Sequence, residues 1–373
     1  MNRRLLPLAL VLTPALFVYA CSSSSSNNPN PTPTPEASTG DTSMETPDTS
    51  MVDMDSSKTD TSVGPSCNPI EGIAAPTVVI PTVYFEGPQW VTDTLYLAAY
   101  GTTGTLLKFV PSQPQGLNNP DTVRTSANVI LGTTLDEKTN TLVTVEPPSG
   151  GVAGMGGMVV RTPLTGALPR TGTPIALAFD GGGGLGFDSP NDLVVRKSDG
   201  TIYMTDPGYQ VADQGTVLTN HIWRIKPTTE DVFEYQVDGR PNGIGLSPDD
   251  KTLYVSFTVG ATINNVVATV PNILKYPVNV DGSLGVGTKF ADVSPVTSAA
   301  DGLAVDSAGN VYVAVSNGVD VFKKDGSAKW GHITTTGHVI NGLAFGGTDK
   351  KTLYLTSDTG LLSVVVKVAG LTQ

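Results

Sequence analysis

Residues 191–206, NDLVVRKSDGTIYMTD, carry the pattern that decides the fold: a short apolar run, a Ser-Asp-Gly turn and a second apolar run. The pattern returns at 242–256, NGIGLSPDDKTLYVS, and at 301–314, DGLAVDSAGNVYVA. Three further copies begin at Pro88, Gly132 and Asn341. Apolar runs joined by Asp, Gly and Asn turns are typical of β-hairpins. Six copies at a period of roughly 40–50 residues predict an all-β, six-bladed propeller.

One oxygen-bearing side chain stands at the start of each of four copies: Glu86, Asn191, Asn242 and Asp301. Their spacings of 105, 51 and 59 residues correspond to about two, one and one blades. Equivalent positions on successive blades point at the common axis, so we expect these side chains to converge. Two carboxylates and two carboxamides make an all-oxygen site that suits Ca²⁺, with other divalent cations as alternatives. Taken singly, each Asn-Gly or Asp-Gly pair is equally typical of a turn.

The first 21 residues are predicted to be an export signal and not part of the fold. Arg3 and Arg4 precede an apolar stretch, residues 5–19, which is too short to span a membrane comfortably. The following Val-Tyr-Ala-Cys at 18–21 resembles the lipobox of bacterial lipoproteins, in which lipid is attached to the cysteine, here Cys21. An ordinary secretory signal is the alternative.

Residues 22–69 are predicted to form a disordered tether, and residues 70–373 are predicted to form the propeller. Between residues 22 and 66 there are seven acidic side chains, one lysine and no aromatic residue, so this segment cannot bury enough apolar surface to fold. Ser22 directly after Cys21 favours the outer membrane of a Gram-negative cell, on its periplasmic or its outer face. Membrane contact is expected through the lipid alone.

Charge and motif content exclude several functional classes. The net charge is −12 and there is no basic patch, so nucleic acid is not expected as a partner. Neither a Gly-x-Ser-x-Gly nucleophile motif nor a His-Glu-x-x-His zinc motif occurs. The glycine run at 181–186 does not open a helix, and we interpret it as a loop. Two cysteines, Cys21 and Cys67, are too few for a disulfide framework.

Four stretches resemble the senescence marker protein/gluconolactonase/luciferin-regenerating-enzyme family of calcium-dependent six-bladed propellers: 86–90, 189–207, 240–254 and 300–315. The resemblance extends over about residues 80–365. It implies that three residues bind the metal: Glu86, Asn242 and Asp301. It also implies that Asn191 binds metal or substrate, and that Asn341 lies near the metal.

The implied activity is that of a metal-dependent lactonase, expected to act as a monomer on a small lactone or ester. The metal would polarise the carbonyl, and Asp301 would act as general base on water or, alternatively, as nucleophile. Asn191 and Asn242 would hold substrate oxygens. Two other classes stay open: a non-catalytic, lipid-anchored surface propeller that binds protein or glycan, and a phosphotriesterase-like hydrolase.

Several positions depart from the family pattern or have two interpretations. Residues 145–149, VEPPS, stand where sugar lactonases often carry His or Arg after the inner strands of the second blade. Phe257 either lines the pocket or packs inside a blade. Arg161 and Arg224 either contact a carboxylate or phosphate of the substrate, or lie on the surface or in loops. Residues 77–80, TVVI, are predicted to complete the last blade beside residues 361–368.

Overall fold

The computed structural model of the chain describes residues 67–101, 103–114, 119–149, 156–175, 178–179, 187–209, 220–258, 270–293 and 299–371. Apart from Cys67, these residues belong to one unit, Asn68–Gln373. Their regular secondary structure consists of β-strands, which form six sheets. No helix in the described ranges is long and apolar enough to cross a membrane. The predicted six-bladed, all-β propeller is confirmed.

The first described strand, β1 (Thr77–Pro81), belongs to the last blade. Blade 1 contains β2 (Phe85–Val91), β3 (Thr94–Ala99), β4 (Gly104–Phe109) and β5 (Asp121–Ser126). Blade 2 contains β6 (Thr133–Asp136), β7 (Thr141–Glu146), β8 (Met158–Pro163) and β9 (Thr173–Pro174). Blade 3 contains β10 (Ala178–Phe179), β11 (Leu193–Val195), β12 (Ile202–Asp206), β13 (Asn220–Ile225) and β14 (Asp231–Val237).

Blade 4 contains β15 (Pro241–Leu246), β16 (Thr252–Phe257), β17 (Asn272–Pro277) and β18 (Thr288–Asp292). Blade 5 contains β19 (Ala300–Val305), β20 (Val311–Val315), β21 (Gly318–Phe322) and β22 (Lys329–Thr334). Blade 6 contains β23 (Ile340–Gly346), β24 (Thr352–Ser357) and β25 (Gly360–Val365). Within each blade successive strands pair antiparallel; β10 is the exception and pairs parallel with β14 at the outer edge of blade 3. The innermost strands of the six blades are β2, β6, β11, β15, β19 and β23.

The turn between the first two strands of every blade contains a residue with positive φ: Thr92, Asn140, Gly200, Asp250, Gly309 and, in blade 6, both Gly347 and Lys350. Gly, Asn and Asp tolerate this conformation best, which explains the Asp/Gly/Asn turns of the repeat. In blade 4, Oδ1 of Asp249 also accepts the backbone N–H of Lys251 at 3.2 Å. The sequence-predicted turns at Gly200 and Asp250 are therefore confirmed.

The core consists of six apolar clusters, each shared by two neighbouring blades. Along β12, Ile202 and Met204 pack towards blade 2, while Tyr203 packs towards blade 4. This alternation follows from the two-residue period of a strand. Phe257 is fully buried in the cluster between blades 3 and 4, which confirms its blade-core interpretation.

The ring closes because β1 pairs antiparallel with β25 and so completes blade 6 with a strand from the other end of the chain. Thr77 stands opposite Ser363, and Pro81 opposite Gly360. Ile80 is buried between blades 6 and 1, whereas Val78 of the same strand is 51 % exposed. The predicted closure by residues 77–80 is confirmed.

If Ile80 stabilises the pairing of β1 with β25, Ile80→Thr should lower the free energy of unfolding by about 1–3 kcal/mol, since it leaves a hydroxyl in an apolar cluster. The matched variant Val78→Thr should stay within about 0.5 kcal/mol of wild type, because that side chain faces solvent. Urea unfolding followed by circular dichroism measures both. Equal losses in the two variants would contradict this account of the closure.

Candidate functional site

Four oxygen-bearing side chains occupy the same register: each is the second residue of an innermost strand. They are Glu86 of β2, Asn242 of β15, Asp301 of β19 and Asn341 of β23. Asn191 lies two residues ahead of β11. All five line a cavity of about 120 Å³, whose wall is built from the innermost strands of the six blades.

A β-bulge interrupts strand pairing at each of these four strand positions. The register shifts lie between Glu86 and Gln89, Pro241 and Ile244, Ala300 and Leu303, and Ile340 and Gly342. A bulge inserts an extra residue on one strand and re-aims the neighbouring side chains. The repeated bulge therefore explains how a strand residue, which would otherwise face a neighbouring blade, reaches the cavity.

A glycine follows each of the four site residues that lie in strands, and it allows neighbouring innermost strands to approach. A Cβ on Gly243 would lie 2.5 Å from the carbonyl oxygen of Asp301, and one on Gly302 would lie 2.4 Å from that of Asn341. Neither distance is compatible with a side chain. These Asn-Gly and Asp-Gly pairs lie in strands, so the turn interpretation that each pair allowed on its own is wrong here.

Hydrogen bonds from adjoining strands hold the site residues. The hydroxyl of Tyr84 donates to Oε1 of Glu86 at 3.1 Å. Nδ2 of Asn242 donates to Oγ1 of Thr258 at 3.1 Å, and the Asn242 side chain is also hydrogen-bonded to Asp301. The side chains of Glu86, Asn242 and Asp301 are thereby held before any ligand binds.

Burial makes the charges at this site unfavourable. Burial, reinforced by the charge of Asp301, holds the pKa of Glu86 well above its usual value. Burial and then the charge of Asp192 raise the pKa of Asp301 to about 7. Burial also raises the pKa of Asp192 to about 7, against the lowering effect of N–H donors from Leu193 and Ile244. A cation bound in the cavity would offset the repulsion and desolvation of these carboxylates.

Asp192 is a site residue that the sequence interpretation missed. It lines the cavity beside Asn191, and its Oδ2 accepts the backbone N–H of Ile244 at 3.3 Å. It thus ties blade 3 to blade 4 at the axis. The sequence contained one signal, since this copy of the repeat begins Asn-Asp where others begin Asn-Gly or Asp-Gly.

Asp206, at the end of β12, is a second residue missed from sequence. Its carboxylate accepts the backbone N–H groups of Asp188 at 2.9 Å and Ser189 at 2.6 Å, and Nε1 of Trp223 at 3.1 Å. These bonds fix the backbone immediately before Asn191. Nothing in the linear sequence placed Asp206 beside this segment.

The donor set fits a hard cation, although the structure does not by itself show a metal site. Oδ1 of Asn341 is buried and has no hydrogen-bond partner among the described residues, a costly arrangement that a cation would relieve. In the described ranges, no group of three or more Asp, Glu, His or Cys side chains is placed to hold a metal ion. Any cation here would therefore need asparagine oxygens in addition to carboxylates, as the predicted ligand set does.

Other candidate contacts from the sequence lie away from the cavity. Arg161 pairs with Asp136, and the guanidinium of Arg224 stacks 4.0 Å from the ring centroid of Phe233. Substrate contact by either arginine is therefore not supported. Glu146 in the second blade pairs with the buried Arg124. The glycine run at 181–186 lies outside the described residues.

Comparison with protein families matches residues 130–359 to the family model described as SMP-30/Gluconolactonase/LRE-like region. The match covers more than half of the chain and includes the site residues of blades 3 to 6, whereas Glu86 lies ahead of it. Among curated proteins, a gluconolactonase of Zymomonas mobilis subsp. mobilis is 29 % identical over 199 residues. That alignment covers 50 % of this chain and 53 % of the relative, so the chain spans about half the length of the curated relative it matches.

Solved structures share the fold at lower identity. A gluconolactonase from Xanthomonas campestris is 24 % identical with a TM-score of 0.60, covering 81 % of this chain and 97 % of that one. A luciferin-regenerating enzyme is 17 % identical with a TM-score of 0.59, covering 80 % and 99 %. The calcium-binding protein regucalcin from Agrobacterium tumefaciens is 17 % identical with a TM-score of 0.57, covering 81 % and 96 %. At these identities the likeness shows the fold alone.

If a cation balances the buried carboxylates, the stability of Glu86→Gln relative to wild type should depend on Ca²⁺. Without Ca²⁺ the variant should be at least as stable as wild type, and with Ca²⁺ it should be less stable. After chelation the variant should melt at or above the wild-type temperature, because one of three mutually repelling carboxyl groups is gone. With Ca²⁺ at a hundredfold excess over its dissociation constant, wild type should gain about 2.7 kcal/mol, and the variant should gain less.

Thermal unfolding by circular dichroism, with chelator and with Ca²⁺, measures this crossover. Glu71→Gln is the matched control, since Glu71 is exposed and does not line the cavity, and it should behave like wild type. A wild-type melting temperature that does not respond to Ca²⁺ would rule out the cation.

Proposed function

Because the chain belongs to the SMP-30/gluconolactonase/LRE-like family, we propose that it is a metal-dependent hydrolase that opens lactone rings at the axial cavity. One observation carries the proposal: Glu86, Asn242, Asp301 and Asn341 share one register at four bulges and line one cavity with Asn191. The relatives that share the fold include proteins described as gluconolactonases. The substrate we propose is a small lactone.

The residues that would hold the ion are Glu86, Asn191, Asn242 and Asp301, with Asn341 as a further oxygen donor. A divalent cation bound there, most readily Ca²⁺, would polarise the lactone carbonyl and stabilise the negative charge that develops on its oxygen. All five donors are oxygen atoms of side chains that line one cavity, and those of Glu86 and Asn242 are already held by hydrogen bonds. Little rearrangement would be needed on binding.

Asp301 is the proposed general base. It would take a proton from the attacking water, whose oxygen forms a bond to the acyl carbon. It would then return that proton to the ring oxygen, which leaves as a hydroxyl when the ring C–O bond breaks. The product is the open-chain hydroxy acid. The side chains of Asn242 and Ser256 keep Asp301 in place: Oγ of Ser256 donates to the backbone carbonyl of Asp301 at 2.6 Å.

The two asparagines have different roles in this proposal. The amide hydrogens of Asn242 are engaged by Thr258 and Asp301, so we assign Asn242 to oxygen donation toward the ion. The backbone of Asn191 is fixed, since its N–H donates to the carbonyl of Thr205 at 2.8 Å. Its side-chain amide is the better candidate to hold a substrate oxygen.

Asp301→Asn should lower kcat/KM for lactone hydrolysis by about 10²–10⁴-fold, the usual effect of removing a general base. Asp325→Asn makes the same change in an exposed turn of the same blade and should retain wild-type activity. A pH-stat assay on γ- and δ-lactones, with an aryl ester and a phosphotriester in parallel, measures the effect. Hydrolysis of the phosphotriester alone would favour the phosphotriesterase class, and no hydrolysis with retained Ca²⁺ binding would favour a binding propeller.

We also propose that the chain is exported and anchored to the outer membrane by lipid on Cys21, which lies outside the described residues. Cys67 is disulfide-bonded in the structure, and Cys21 is the other cysteine of the chain. A sulfur that carries lipid cannot also form a disulfide, so lipidation of Cys21 and a disulfide between the two cysteines exclude each other.

Metabolic labelling with palmitate decides between these two states. We expect label in the wild-type protein and in Cys67→Ser, and no label in Cys21→Ser. A wild-type protein without label, whose two thiols react with maleimide only after reduction, would show the disulfide state and remove the proposed anchor.

A further inference from the structure

Arg240 carries a positive charge beside the cavity that no carboxylate of the described residues neutralises. It directly precedes Pro241 and Asn242, and its side chain is exposed. Arg124, Arg161 and Arg196 each pair with an acidic side chain, whereas no Asp or Glu oxygen in the described ranges lies within 4.0 Å of Arg240. Within the part of the chain that the structure describes, its charge is therefore left for a ligand.

A cation–π contact followed by two hydrogen bonds connects this arginine to the site. Its guanidinium carbon lies 5.5 Å from the ring centroid of Tyr209. The hydroxyl of Tyr209 donates to Oγ1 of Thr258 at 2.7 Å, and the same Oγ1 accepts Nδ2 of Asn242 at 3.1 Å. Arg240 and Asn242 are two residues apart, which limits their Cα separation to about 7 Å.

Stacking on Tyr209 prepares the guanidinium to bind an anion. A guanidinium that lies against an aromatic ring keeps its N–H donors free at the edge and loses part of its side-chain freedom before any ligand arrives. A carboxylate matches that edge with two parallel hydrogen bonds. A phosphate dianion would call for more positive charge than this one arginine provides.

The opposite side of the cavity offers an aromatic surface instead of a charge. Tyr84, which donates to Glu86, stacks on Tyr100 with ring centroids 4.5 Å apart. Tyr100 is 40 % exposed. These tyrosines belong to blade 1 and Arg240 to blade 4, which face each other in a ring of six. A bound ring could thus lie against the tyrosines with an acidic substituent directed at Arg240.

We propose that Arg240, held by Tyr209, is the subsite for a carboxylate on the substrate, so that the preferred substrates are lactones of dicarboxylic sugar acids. This inference rests on the proposed lactonase function and specifies its substrate class. Arg240 binds the acidic group of the substrate and takes no part in bond breaking.

The test compares the γ-lactones of D-glucaric and D-gluconic acid, which differ at the end remote from the ester: carboxylate in the first, hydroxymethyl in the second. Arg240→Gln should lower the ratio of their kcat/KM values, glucaric over gluconic, by about 10- to 100-fold, the usual worth of a charge-assisted hydrogen bond. The change should lie in KM, because the contact is the same in the ground state and the transition state. Arg240→Lys keeps the charge but loses the paired donors, so its ratio of kcat/KM values should lie between those of wild type and Arg240→Gln.

Lys323→Gln is the matched control. It removes one positive charge that also stacks on an aromatic ring, Trp330, in a turn at the end of the molecule remote from Arg240. Its substrate ratio should equal that of wild type. A ratio unchanged in Arg240→Gln, or one lowered equally in Lys323→Gln, would overturn the assignment.

A binding measurement distinguishes failure of the lactonase proposal from failure of the Arg240 subsite. If wild type opens no lactone, calorimetry with D-glucarate and D-gluconate still tests Arg240, since the first acid carries one carboxylate more. Tighter binding of D-glucarate that disappears in Arg240→Gln supports the subsite without catalysis. Equal affinities of the two acids in wild type would refute it.

Discussion

The close approach of the innermost strands around the axis is the constraint on which the rest of the structure depends. Gly243 packs on the backbone of Asp301, Gly302 on that of Asn341, and Gly342 on Pro88. Each contact joins one blade to the next at the level of the site. Because protein interiors are close-packed, no blade can shift along its neighbour without disturbing these contacts. The closing pairing of β1 with β25 keeps this ring of contacts complete.

The site contrasts electrostatically with those buried carboxylates of the fold that have a cationic partner, whereas buried Asp206 and Asp306 accept several hydrogen bonds instead. Glu146 is buried against Arg124, and Asp320 is buried against Lys329 and His332. Within the described residues, the cavity carboxylates Glu86, Asp192 and Asp301 have no such cationic partner within 4.0 Å. Burying charge without a partner lowers stability, so the arrangement is best understood as one that a bound cation completes.

The surroundings of the cavity differ from blade to blade, although the blades repeat. The stacked pair Tyr84 and Tyr100 belongs to blade 1, and Arg240 with Tyr209 lies between blades 3 and 4. These residues stand outside the repeated strand pattern, at the ends of strands or in connections. A symmetrical scaffold thus fixes the oxygens proposed to bind the ion, while residues outside the repeat make the approach to them asymmetrical, as the proposed discrimination among substrates requires.

The repeat by itself determined the all-β fold, the number of blades, the closing strand and the register of Glu86, Asn242 and Asp301. These features follow from local rules: apolar runs, positive-φ turns and blade spacing repeat within the linear sequence. Asp192, Asp206, Tyr84 and the pair of Arg240 with Tyr209 were decided only by the tertiary structure. Each acts through a partner on another strand or blade, such as Ile244 for Asp192 or Ser189 for Asp206. Contacts between residues distant in sequence arise when the ring closes, and no periodic pattern records them.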